Sequence, residues 1–182
     1  MKLLLATGNA HKVEELAAIL GPAFELVAHE PGVEETGSTF EANALLKARA
    51  VRDATGALAV ADDSGIEVVA LDGAPGVRSA RWAAGDEVGA LLRALAGVPA
   101  ERRGCRYVCA AAVARPDGSE DVVVGTVSGV VVEAARGTGG FGYDPIVVPV
   151  EGDGRTFAEM TADEKHAISH RARAFRALTA LL

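Results

Sequence analysis

The chain is 182 residues long, 49% hydrophobic, 24% charged and 4% aromatic, which excludes a disordered or fibrous protein and makes one folded domain the default. Eighteen Lys and Arg against 25 Asp and Glu give a formal charge of −7, which argues against broad adhesion to nucleic acid or to an anionic membrane. A small anion held by local donors and a bridging cation stays open. No apolar run can cross about 30 Å of hydrocarbon, and the stretch after Met1 is too short for a secretory signal, so a cytoplasmic protein is expected.

In chain order, Lys2 to Ala6 reads as a short strand, and Val13, Leu16, Ala17 and Leu20 follow helical spacing over Ala10 to Leu20. Phe24 to Ala28 is a second strand. A loop rich in Pro, Gly and acid follows, after which Thr39 caps a helix that reaches Ala54 and ends at Gly56. Leu58 to Ala61 is an unalternating apolar run, as in a strand covered on both faces. Asp62-Asp63-Ser64-Gly65, a strand-like Ile66 to Leu71, a turn at Asp72 to Gly76 and a helix at Val88 to Leu95 come next. Cys105 to Arg115 and Asp121 to Val132 form a predicted long β-hairpin, placed at the edge of a second lobe. Cys105 and Cys109 within it are expected to be buried free thiols. Gly137 to Asp144 is a glycine-dense loop, and Ala162 to Leu182 a final amphipathic helix. The pattern predicts a single α/β domain with two lobes: a mixed central sheet flanked by helices, and a long hairpin.

Several constellations could carry chemistry. Thr7-Gly8-Asn9-Ala10-His11-Lys12 turns the first strand into the first helix, where free amides, the helix dipole and Lys12 could cradle a phosphate, or where the turn is simply capped. Asp62 and Asp63 follow a buried strand, and ligands of open α/β sheets gather outside strand carboxyl ends. The acidic pair would either cap a turn or hold a hard cation that joins it to phosphate oxygens. Lys47 falls on the apolar stripe of its helix, bordered by Asn43, so it either snorkels past the core or faces a cleft. Glu34 and Glu35 add carboxylates in a loop. Gly137 to Gly142 matches G-x-G-x-x-G, but no helix follows, so it is not a dinucleotide fingerprint. Its Phe141 or Tyr143 could instead lie against a flat base. His166 and His170 have the i, i+4 spacing of a zinc protease without its Glu. On an unbroken helix His170 faces away from Lys165 and Arg171, so a shared site requires a kink near Ile168 to Ser169.

The blocks ATGNAHKVEEL, EETGSTFEANALLKA, ADDSGIEVVALDGAPGVRSARWA, GTGGFGYDPIVVP and TFAEMTADEKHAISHR, taken in this order through most of the chain, resemble the inosine triphosphate pyrophosphatase family. The resemblance implies hydrolysis of dITP, ITP and XTP to the monophosphate and pyrophosphate, with Mg²⁺, by a homodimer whose active site lies in the cleft between two lobes. It implies triphosphate contacts from Thr7, Gly8, Asn9 and Lys12, with Ala10 and His11 in the same turn, and further phosphate contacts from Lys47 and Ser64. Asp63 matches the proton acceptor and a metal ligand, and Glu35 the second metal ligand, although a one-residue slip would exchange it for Glu34. Phe141, Gly142, Tyr143, Asp144, Lys165, His170 and Arg171 match nucleotide and base positions. Ala42 stands where the family often has Glu, and Trp82 where it often has Tyr.

Water attack at the α-phosphorus needs charge neutralisation and an oriented nucleophile, roles for Lys12, Lys47, the cation and Asp63. Selectivity would rest on the purine 6-carbonyl, recognised by donors such as Arg171, His170 or a backbone N–H, and such a site can reject a mismatched base by roughly 10⁴-fold. Two other readings compete: a Maf-like pyrophosphatase of modified pyrimidine or methylated nucleotides, and a nucleotide-binding module that does not turn over.

Overall fold

A computed structural model describes residues 1–83 and 85–182. Strand β1 (Lys2–Ala6) leads through α1 (Ala10–Leu20) to β2 (Glu25–His29), and α2 (Phe40–Thr55) leads from there to β3 (Ala59–Val68). After α3 (Glu87–Ala94) come β4 (Gly104–Ala114), β5 (Glu120–Val131), β6 (Val147–Pro149), α4 (Ala162–Ile168) and α5 (His170–Thr179). One six-stranded sheet has the order β2-β1-β3-β4-β5-β6. It is mixed, since β1 runs parallel to both β2 and β3 while β5 and β6 are antiparallel.

Short-range signals account for the helix bounds. Asn9 caps α1, Thr39 caps α2, and Gly56 ends α2 in the left-handed region at φ 67°, where a side chain would be strained. The first three strands follow from connection rules. From β1 the chain crosses α1 to reach β2 on one side, then crosses α2 to reach β3 on the other. Right-handed crossovers in opposite directions put α1 and α2 on opposite faces of the sheet.

The chain packs as two compact units, one of Met1–Ser64, Cys109–Gly125 and His170–Leu182, the other of Gly65–Val108 and Thr126–Ser169. Leu3, Leu5, Leu16, Val60, Phe175 and Leu178 centre the core of the first. Ile66, Val68, Leu91, Leu95, Ile146 and Phe157 centre that of the second. Within the second unit the buried Arg103 guanidinium is satisfied by the carbonyls of Leu95, Val131 and Val132, at 2.8 to 3.0 Å. No helix among the described residues is long and apolar enough to cross a membrane.

Three expectations change. The acidic pair does not follow a strand, because β3 runs unbroken from Ala59 to Val68 with Asp62 and Asp63 inside it. The hairpin is not an edge: β4 sits between β3 and β5, and β6 covers β5 through the pairs Gly129↔Pro149 and Val131↔Val147. The last helix is two helices, interrupted at Ser169, whose backbone is extended at φ −65° and ψ 149°. The carbonyl of His170, the first residue of α5, lies so close to Gly125 of β5 that a Cβ there would overlap it.

Candidate active site

In the first unit the site is built around β3. Leu5 is level with Val60, and β1 ends at Ala6, so Asp62 and Asp63 lie just past the end of β1, beside the turn that opens α1. Strand alternation sends the two carboxylates to opposite faces.

On the face of α1 and α5, Asp62 is 1% exposed. Its carboxylate accepts from Lys12 Nζ at 3.0 Å and from Arg171 Nη2 at 3.3 Å. Arg171 also donates to Ser64 Oγ at 2.7 Å and pairs with Glu15, while Ser64 Oγ donates to Asp62 at 3.2 Å. Burial alone would raise the pKa of Asp62, but the charges of Lys12, Arg171 and Lys47 together hold it well below the ordinary carboxylate range. Cys109 Sγ lies 3.9 Å from the same carboxylate. Both cysteines are buried free thiols, as expected, and burial pushes Cys105 up to about 12, which leaves it an inert thiol.

On the face of α2, Asp63 accepts from Asn43 Nδ2 at 3.0 Å and from Lys47 Nζ at 3.4 Å, and Lys47 Nζ lies 2.6 Å from Glu35. The open question about Lys47 is thereby answered: its ammonium ends among carboxylates, and although burial lowers its pKa, Asp62, Asp63 and Glu35 raise it overall. Asp63 moves the other way from Asp62. Burial raises it, Glu35 adds to the rise, and Lys47 does not fully offset them. Asn43 also accepts from Gly37 N at 2.8 Å, which ties the loop carrying Glu35 to α2. Of the adjacent acids, Glu35 reaches the group and Glu34 is exposed.

The Thr7 to Lys12 turn is capped: Asn9 Oδ1 accepts from His11 N and Lys12 N at 3.0 and 3.3 Å, and Thr7 Oγ1 accepts from Asn9 N at 3.1 Å. Gly8, Asn9, Ala10 and His11 are exposed, while Thr7 and the stem of Lys12 are more enclosed. Capping and anion binding remain compatible at such a turn, since a helix start has four amides to satisfy.

A separate group forms within the second unit. Asp144 accepts from Lys165 Nζ at 2.7 Å, from Phe141 N at 2.9 Å and from Tyr107 Oη at 3.4 Å, and Lys165 Nζ stands 4.8 Å from the Phe141 ring centre. Gly140, at φ 68°, leaves room for the Asp144 carboxylate against its Cα. Gly142 is left-handed too. Phe141 is partly exposed, whereas Tyr143 is 5% exposed and its hydroxyl donates to Ser79 O at 2.9 Å. The glycine loop ends in one turn of 3₁₀ helix at Asp144–Ile146, so the apparent dinucleotide motif has no helix to serve.

The helix that carries Lys165 ends at Ser169. Lys165 belongs to the second unit, while His170 and Arg171 belong to the first. Asp62 and Asn43 drew notice in the sequence, but not as the anchor for Lys12 and the link between Asp63 and Gly37; Glu15, the partner of Arg171, was not singled out at all. Asn43 had a signal, a polar residue on a buried helix stripe. Glu15 had none, since a second acid in a Glu-Glu pair on a surface-length helix reads as solvated.

Residues 3–181 match the family model described as the Ham1 family. A dITP/XTP pyrophosphatase of Streptomyces coelicolor is 55% identical over 97% of this chain and 94% of its own length. The Staphylococcus aureus Ham1 protein aligns with a TM-score of 0.85 at 36% identity, covering 100% of this chain and 97% of its own. A nucleoside-triphosphatase / dITP/XTP pyrophosphatase structure from Mycobacterium abscessus aligns at 0.78 with 47% identity, covering 100% and 99%.

Proposed function

This chain belongs to the Ham1 family, and from that premise we propose that it hydrolyses dITP, ITP and XTP to the nucleoside monophosphate and pyrophosphate, removing deaminated purines from the nucleotide pool. One observation carries the reading. Lys12 from α1 and Lys47 from α2, on opposite faces of the sheet, both end on the adjacent residues Asp62 and Asp63.

That arrangement gives each group a task. Lys12 and the capped turn Thr7-Gly8-Asn9-Ala10-His11 receive phosphate oxygens, assisted by Lys47 and Ser64. Asp63, whose pKa burial raises, is a stronger base than an exposed Asp and takes the proton from the attacking water. Water oxygen bonds to the α-phosphorus, the bond to the bridging oxygen of the β-phosphate breaks, and pyrophosphate leaves.

A divalent cation fits the donor set. Glu35 and Asp63 offer hard oxygens that already converge on one positive charge, the Lys47 ammonium. Among the described residues no three His, Cys, Asp or Glu form a ready cage, which suits Mg²⁺, an ion that takes one or two carboxylates and fills its shell with phosphate and water. Bound there, Mg²⁺ would supply charge neutralisation to the phosphates.

For the base, the Phe141 face with the Lys165 charge and the Asp144 carboxylate forms one recognition group, with Gly142 and Tyr143 shaping its loop. His170 remains a candidate donor to the 6-carbonyl. Arg171, 2% exposed with its donors on Glu15, Asp62 and Ser64, serves the reading better as the support of the phosphate-side residues. A homodimer in the cytoplasm, without nucleic acid or membrane as partner, completes the proposal; light scattering tests the dimer.

Pyrophosphate release is to be measured across dITP, XTP, dATP, dGTP and dUTP, with and without Mg²⁺. Rapid release from dITP and XTP alone, abolished by chelation, is the expected result. Preference for a pyrimidine would favour the Maf-like reading, and no release from any nucleotide would leave a binding module.

A further inference from the structure

Glu30 has no part in the site as described, yet its carboxylate lies within the turn assigned to phosphate. The β1–β2 pairing runs to Ala6↔His29, and Thr7 N donates to His29 O at 3.1 Å, which brings Glu30 level with Thr7, one residue before Gly8. A Cβ built on Gly8 would overlap Glu30 Oε2 and touch its Cδ. Only a glycine lets an oxygen come this close to the chain. The space beside an exposed glycine at a helix start is also what a phosphate oxygen uses. A carboxylate oxygen therefore stands where the proposed function needs a phosphate oxygen, and two anions cannot share it.

We propose that Glu30 sets the affinity for the triphosphate: its carboxylate occupies the anion position against Gly8 and swings away before a phosphate takes that place. Glu30 is exposed at the end of β2, so the swing needs only side-chain rotation into solvent. The residue opposes binding of the polyanion without touching the bond that breaks, and it opposes a bare triphosphate more than one whose charge a cation has partly neutralised. It acts on KM and not on kcat. The inference rests on the reading of Thr7 to Lys12 as the phosphate-binding turn.

Calorimetric titration with inorganic tripolyphosphate tests it on the full chain, using the parent, Glu30→Gln, Glu30→Ala and Lys12→Ala, alongside KM and kcat for dITP. Glu30→Gln keeps the size and removes the charge. Both Glu30 variants are expected to bind tripolyphosphate roughly two- to fivefold tighter at low salt, the size of one charge effect at a helix N-terminus. The gain should fade at about 1 M salt, where the Debye length is about 3 Å. KM for dITP should fall by the same factor with kcat unchanged. Equal affinity of the parent and both Glu30 variants, with Lys12→Ala weaker, would overturn the role of Glu30 alone; so would a fall in kcat at constant KM. Equal affinity of all four proteins would overturn the phosphate-binding turn, and the Glu30 proposal with it.

Discussion

Asp62 and Asp63 are chemically the same residue one step apart, and their surroundings make them different. Asp62 faces Lys12 and Arg171 and is held ionised, while Asp63 faces one ammonium and a second carboxylate, and its burial is only partly offset. Asp63→Asn is therefore expected to lower kcat by about 10² to 10⁴, the usual weight of a general base, while the protein stays folded because Lys47 keeps Glu35 as a partner. Steady-state kinetics and thermal melting check both halves, and turnover within tenfold of the parent would remove Asp63 from that role. Asp62→Ala should do the opposite. Removing the carboxylate takes away the partner of Lys12 and leaves Arg171 with Glu15 alone, a loss of about 3–5 kcal/mol, read as a fall in Tm of roughly 10 °C.

At the scale of elements, α2 holds the catalytic face together, since Asn43 and Lys47 both project from it toward Asp63. Its first turn depends on Thr39, whose hydroxyl accepts from Ala42 N at 3.1 Å. Thr39→Ala should cost about 1 kcal/mol, a Tm drop of roughly 2–4 °C, with kcat retained once folded. A kcat that fell in proportion would mean that the cap also sets the position of Lys47. The start and end of α2 were legible in the sequence because capping acts over three or four residues. The path of β3 was not. Acids in mid-strand read as a turn, and they sit in a strand here because side chains from α1, α2 and α5 answer each carboxylate. The break at Ser169 was foreseen only as a condition for gathering three side chains; the approach of Gly125 to the His170 carbonyl shows what α5 packs on.

For the whole molecule, the charge of −7 conceals a buried set of paired cations and carboxylates, so pH should act on folding chiefly through the depressed acid. The folded pKa of Asp62 lies below its unfolded value of about 3.9, so its contribution is present above pH 4 and is lost as the pH falls toward the folded value. Glu164, lowered to about 2 by hydrogen bonds from Arg155 and Thr161, follows the same direction, though its place on the surface makes its effect slight. Tm should change little from pH 7 to 5 and fall steeply below 4, with the steep part flattened in Asp62→Asn. A Tm that rose on acidification would contradict the pairing.

The sequence alone determined the first three helices to within about a residue, the cap of α2, the mixed α/β class of the fold, and the identity of Lys12, Lys47, Asp63 and Glu35 as a group worth bringing together. These follow from local spacing, short-range capping and an ordered set of motifs. Tertiary structure alone decided that the acidic pair lies within a strand and faces two ways, that Glu15 and Arg171 brace Asp62, that the hairpin is interior, and that Glu30 rests on Gly8. The physical reason is that each depends on contacts between residues distant in sequence: a carboxylate's ionisation and a strand's continuity are set by which charges the fold delivers to them, and neither spacing nor composition carries that information.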